Sequence, residues 1–194
     1  MSKSVLISIR PEWCEKIASG QKTIEVRKTR PKIETPFKCY IYCTKDGDPF
    51  GYQIFAYTES GIKGICTGKV IGEFICDRIE EFESEFYSDD SVFNAIYRVV
   101  EDEDYPDVRL LTAIASNEDD SENFWICAQS CLSFDEIKEY VGYDKSEKTF
   151  YGWHISDLVI YNKPKELNNF GQVVNGFTSR LVYPPQSWQY VQKV

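Results

Sequence analysis

The chain has 194 residues, 42% of them hydrophobic and 15% aromatic, with a formal net charge of −9. That length suits one domain, with or without a large insertion, and the composition supports a core and excludes a disordered chain. No run of about 18 apolar residues occurs, so a membrane-spanning helix is not expected. Val5-Leu6-Ile7-Ser8-Ile9 is too short for the apolar part of a secretion signal, and a cytoplasmic protein is the expectation.

The charge is unevenly placed. Residues 77–122 hold sixteen Asp or Glu against three Arg, whereas residues 1–38 hold nine Lys or Arg against four Glu. One segment supplies the acidity, so the net charge does not exclude an anionic partner. The seven cysteines include no CxxC pair and His154 is the sole histidine, a poor set for a tetrahedral metal site. Neither a metal nor another cofactor is expected, and the cysteines read as buried free thiols.

Along the chain, residues 4–9 read as a strand. Pro11 suits the first turn of a helix that carries Trp13, Cys14, Ile17 and Ala18 at helical spacing and stops at Gly20. A short strand follows over 23–27, then a basic loop with Lys28, Arg30 and Lys32 between prolines, then a strand over 37–44. Residues 45–64 are a Gly- and Tyr-rich loop or hairpin, with mobility expected at Asp46-Gly47-Asp48-Pro49. Residues 68–76 are a strand whose interior glycine, Gly72, marks a bulge or a close backbone approach. The acidic stretch 78–147 reads as a helical insertion, with one helix near 90–100 and another beginning at the capping box Ser133-Phe-Asp-Glu136. A strand over 149–161 and a closing segment over 181–191 complete the chain. Short strands around one early helix, with a late strand returning, point to a small β-barrel with helical decoration: an α+β, mainly β fold in one domain spanning 1–194.

The charged residues of 20–27, Gly-Gln-Lys-Thr-Ile-Glu-Val-Arg, stand out. Side chains alternate along a strand, so Glu25 and Arg27 share one face and Ile24 and Val26 the other. Lys22, leaving the turn, can swing to the charged face. The pattern Gly-x-Lys-x-x-Glu-x-Arg arises by chance at roughly one in 10⁵ per starting position. It resembles the ASCH family, the activating-signal-cointegrator homology domains, whose barrel is related to the PUA fold. Leu6-Ile7-Ser8-Ile9-Arg10-Pro11, Gly68-Lys69-Val70-Ile71-Gly72 and Trp153-His154-Ile155 extend the agreement. Asp157, Leu158, Tyr161, Pro164 and Leu167 are similar to the continuation in prophage-type bacterial members. The resemblance covers most of 4–76 and 149–191 and leaves out the acidic insertion.

The resemblance implies a cleft lined by Lys22, Glu25 and Arg27, occupied by RNA or a modified nucleoside or nucleotide. Arg10 stands at its rim, and Trp153 or His154 extends it; these neighbours lie on opposite strand faces, so only one can enter the same cleft. Other members imply a hydrolase, either an N4-acetylcytidine amidohydrolase or a ribonuclease, with Lys22 and Glu25 as the catalytic pair. The deacetylating relatives carry Thr where this chain has Glu25, and their distant Glu has no counterpart here beyond Glu73. That departure favours binding over catalysis. Lys28, Arg30 and Lys32 are either a solvated loop or an extension that tracks phosphates. A third possibility is a protein partner recruited by the acidic insertion, the chain then being an interaction module.

Overall fold

The computed structural model describes residues 3–45, 53–58, 61–89, 93–102, 109–117, 124–142, 147–174 and 177–194. The elements are β1 (Ser4–Ile9), α1 (Pro11–Ala18), β2 (Ile24–Arg27), β3 (Phe37–Cys43), β4 (Gln53–Thr58), β5 (Gly61–Cys66), β6 (Lys69–Cys76), β7 (Ile79–Glu85), β8 (Ala95–Glu101), β9 (Arg109–Ser116), α2 (Trp125–Ser130), α3 (Phe134–Val141), β10 (Lys148–His154), β11 (Ser156–Lys165), a 3-10 turn (Leu167–Asn169), β12 (Phe170–Val174), β13 (Phe177–Arg180) and β14 (Trp188–Lys193). The fold is mainly β with flanking helices. No helix among the described residues is long and apolar enough to cross a membrane.

The chain divides into two units, one of residues 1–21, 33–77 and 155–194, the other of residues 22–32 and 78–154. In the first, a seven-stranded sheet runs β11-β6-β3-β1-β14-β12-β13. The apolar run Val5-Leu6-Ile7 is fully buried, as fits an interior strand covered on both faces, and β1 pairs in parallel with β3 and antiparallel with β14. Leu6, Tyr40, Tyr42, Val70, Phe170, Leu181 and Val191 form the core on one side. Gly72 performs the expected close approach: a Cβ there would lie 2.5 Å from the Val159 carbonyl oxygen of β11. The segment 45–64 contains the hairpin β4–β5, while Asp46–Pro49 lies outside the described residues.

The second unit is a five-stranded sheet, β2-β10-β7-β8-β9, with α2 and α3. Strand β7 shows how an acidic sequence forms a core strand. Phe82 and Ser84 turn inward while Glu81, Glu83 and Glu85 alternate on the other face. Phe82 stacks on Phe150 with ring centroids 5.2 Å apart, and Phe86 meets Phe134 edge-on at 5.6 Å, around a core completed by Ile24, Val26, Ile96 and Ile137. The capping box forms as read: the Ser133 hydroxyl accepts from the Glu136 N–H, and the Glu136 carboxylate accepts from the Ser133 N–H.

Three expectations need correction. The helix near 90–100 is strand β8, paired on both sides with β7 and β9; Ile96, Tyr97, Val99 and Val100 are β-branched or aromatic and gain more in a pleated sheet than in a helix. The segment 78–147 therefore holds strands as well as its two helices. The strand over 149–161 is two strands, β10 and β11, which separate at Ile155 and join different sheets. Because the late strand divides in this way, the described strands form a seven-stranded and a five-stranded open sheet, beside the two-stranded β4–β5 hairpin, and do not close into a barrel.

Candidate functional site

Helix α1 ends in a Schellman motif. Gly20, at φ +77°, donates its N–H to the Ile17 carbonyl, and Gln21 donates to the Lys16 carbonyl, both at 2.9 Å. Only a residue tolerant of the left-handed region suits that turn, which is why glycine opens the motif. Beyond the turn, in the second unit, the Thr23 N–H donates to the Gln129 carbonyl at 2.9 Å, fixing the entry of β2.

Lys22, Glu25 and Arg27 converge. The Glu25 carboxylate lies 3.3 Å from the Lys22 Nζ and 2.8 Å from the Arg27 Nη2, and Lys22 also donates to the Ser130 carbonyl at 2.5 Å. Their side chains are 2%, 9% and 9% exposed, so this is a buried ionic cluster. Burying such groups costs several kcal/mol per ion unless pairing is close, and Glu25 meets that need by bridging two cations. Lys22 adds a positive charge at the C-terminal end of α2, where the helix dipole favours it.

The sheet register assigns the faces. Glu25 stands opposite Trp153 and Arg27 opposite Tyr151, while Ile24 and Val26 face His154 and Gly152. Glu25, Arg27, Trp153 and Tyr151 therefore share one face, and Ile24 and Val26 enter the core on the other. Trp153 is fully buried. Gly152 keeps that core face flat, since a Cβ would sit 2.9 Å from the Phe82 ring and 3.0 Å from Ile24. His154 lies on the core-side face, away from the motif, with its Nε2 2.8 Å from the buried Glu80. The Arg78 guanidinium approaches the same ring at 3.2 Å, and Arg98 pairs with Glu80. Arg10 belongs to the first unit, where its exposed residue precedes α1 and its carbonyl accepts from the Trp13 and Cys14 N–H groups.

Three partners were missed in the sequence: Ser130, Tyr151 and Tyr140. Lys28 Nζ lies 5.3 Å from the Tyr140 ring centroid, and the Arg30 guanidinium 5.9 Å from that of Tyr151. Lys28, Arg30 and Lys32 are exposed, Tyr140 is 38% exposed and Tyr151 is partly buried. Burial, then Glu81, pushes the Tyr151 phenol above its ordinary value, so it stays a neutral ring and donor. The alternate spacing of Tyr151 and Trp153 was the available signal for Tyr151. Ser130, acting through its backbone, left none. Glu73 lies on β6 of the first unit, where it accepts from Lys38 and Tyr161.

Residues 7–178 match the ASCH domain family. Among solved structures, the crystal structure of ASCH from Zymomonas mobilis is similar at 17% identity and a TM-score of 0.47, covering 98% of this chain and 89% of that one. A point mutant of the same Zymomonas mobilis protein gives 16% identity and a TM-score of 0.47, covering 99% and 92%. No curated protein sequence matches.

Proposed function

The chain belongs to the ASCH domain family, and from that premise we propose that it binds RNA, or a nucleotide, through the Lys22–Glu25–Arg27 cluster and the cationic segment that follows it. The observation carrying this reading is a continuity of chemistry. Buried Arg27 leads directly into exposed Lys28 and Arg30, each seated against a tyrosine ring. Single-stranded nucleic acid is held by this pairing of cations for phosphates with aromatic faces for bases, at roughly 1–3 kcal/mol per stacked base. Within the reading, Arg27 contributes a planar donor fork, Glu25 fixes its orientation, and Lys22 anchors Glu25 to α2. Trp153 stands beside Glu25 on the same strand face. His154, on the other strand face, is left out of this reading. The whole chain is read as one family domain that carries residues 78–147 as an insertion.

The test is binding of a fluorescent single-stranded RNA by Lys28→Gln/Arg30→Gln, by Arg27→Lys and by Lys22→Ala, each checked for an unchanged circular dichroism spectrum. The reading requires the surface double variant to weaken binding about tenfold or more. It requires Arg27→Lys to weaken binding while retaining charge. Unchanged affinity in either of those folded variants would overturn it.

A hydrolase reading has one observation in its favour, the 3.3 Å contact of Lys22 with Glu25. A hydrolytic role would use the Lys22 amine next to that carboxylate. Release of acetate from N4-acetylcytidine, or cleavage of RNA, that disappears in Lys22→Ala would establish it.

A further inference from the structure

Among the described residues, β9 pairs only with β8 and closes the five-stranded sheet. Residues 77–122 hold sixteen Asp or Glu and three Arg, yet Leu110-Leu111-Thr112-Ala113-Ile114-Ala115-Ser116 carries no charge. Arg109 through Ala113 are all exposed, whereas Ala115 and Ser116 are buried. Leu110 and Leu111 lie on opposite faces and are 45% and 50% exposed. Each has a valine beside it on β8, Val100 opposite Leu110 and Val99 opposite Leu111. The register then shifts: Ala113 faces Tyr97 and Ala115 faces Ile96, so Ile114 is an extra residue that ends the regular, exposed run.

Open edges invite further strand pairing, and proteins blunt them with charges, prolines or cover. Strand β11, at an edge of the seven-stranded sheet, carries Asp157, Lys163, Pro164 and Lys165. The other edge of the five-stranded sheet, β2, is buried. Strand β9 has only Arg109, whose guanidinium is held by Glu81 and Glu83 of the same chain. The strand that best fits this edge is itself uncharged and apolar on both faces, and β9 of a second copy is such a strand. Antiparallel pairing about a two-fold axis at Leu111 sets it against the partner's Leu111, and Leu110 against the partner's Thr112. Arg109 then lies opposite the partner's Ala113. The two arginine backbones stand at least about 13 Å apart, beyond the screening length of about 8 Å.

We propose that the chain self-associates through β9, two copies joining their five-stranded sheets edge to edge in a symmetric dimer. The pairing extends both faces of the sheet, so it covers Leu110 and Leu111 together. Strand β2, which carries the Lys22–Arg27 motif, is at the opposite edge of that sheet. The dimer is held by backbone hydrogen bonds and apolar side chains, while each copy carries a net charge of −9. Salt screens the repulsion between copies and strengthens the dimer, the opposite of its effect on nucleic-acid binding.

Sedimentation velocity on the full chain, over a range of protein concentrations, is the test. The wild type should sediment faster as concentration rises, approaching a dimer, and added salt should favour that form. Leu111→Lys and Leu111→Glu, each checked for an unchanged circular dichroism spectrum, put like charges opposite one another across the two-fold axis. Each variant alone should need roughly tenfold or more protein to associate. Mixed in equal amounts, the two should associate again, because opposite charges then face each other. A wild type that stays monomeric would overturn the proposal and leave the edge to a different strand. Association unchanged in both variants, or a mixture no better than either variant alone, would overturn it too, as would a dimer that salt dissociates. Sedimentation without RNA reads this surface whether or not the motif binds nucleic acid.

Discussion

At the residue scale, the motif's acidic member has the largest structural consequence. Glu25 bridges two cations in a place where water is almost excluded. Glu25→Gln leaves Lys22 and Arg27 buried together without their shared counter-ion, and we expect a loss of about 3–5 kcal/mol by urea denaturation. A loss below 1 kcal/mol would mean the three side chains are a solvated group with no structural coupling. Glu73 allows a second test, through pH. Burial raises its pKa, but hydrogen bonds from Lys38 and Tyr161, with the charges of Lys38 and Lys165, outweigh burial and hold it below the ordinary 4.5. A carboxyl depressed in the folded state stabilises the fold at pH values above the unfolded pKa, and that contribution fades as pH falls through the folded one. Glu73→Gln should therefore cost about 1–2 kcal/mol at neutral pH, and the gap to wild type should narrow below about pH 4.5. A gap that stays constant to pH 2.5 would contradict the assigned hydrogen bonds.

The roles of single residues were unevenly readable. Alternation placed Glu25 and Arg27 on one face and Ile24 and Val26 on the other, and the register with β10 has that arrangement. The same rule separated Trp153 from His154. It could not say that the charged face of β2 would also be buried, because covering a face depends on the partner strand and on Ser130 at the end of α2, far away in sequence.

At the element scale, local chemistry was legible wherever hydrogen bonds close within a few residues. The helix α3 begins at a capping box read directly from Ser133 and Glu136, and Ser133→Ala should cost about 1 kcal/mol of thermal stability, measured by calorimetry. Gly20 is the same kind of feature. No atom lies within 4 Å of a Cβ built there, so Gly20→Ala should cost about 1 kcal/mol from backbone conformation alone, and Gly20→Asn less. Gly152→Ala fails for the other reason: its Cβ meets Phe82 and Ile24, and the expected loss of about 1–3 kcal/mol is steric. Elements defined by distant pairing were harder to read. The acidic, aromatic neighbourhood of β8 masks its short run of β-branched residues, and only pairing with β7 and β9 settles its state. The division of 149–161 was invisible for a related reason. Residues on both sides of Ile155 have strand composition, so composition alone does not show that two sheets separate there.

At the scale of the whole molecule, a net charge of −9 coexists with the exposed cations Lys28, Arg30 and Lys32. The acidity is concentrated in residues 77–122, where Glu81, Glu83 and Glu85 line one face of β7 and Arg109 pairs with the first two. Association with nucleic acid should accordingly be sensitive to salt in spite of the global charge. The family motif and its cationic continuation are proposed above as a nucleic-acid-binding surface. The most direct measurement is fluorescence anisotropy of a single-stranded RNA titrated with the wild-type chain and with Lys28→Gln/Arg30→Gln, whose exposed side chains leave the fold intact. Saturable binding by the wild type is expected, weakened about tenfold or more in the variant and falling with salt. Equal binding by both proteins, or none by the wild type, would contradict it.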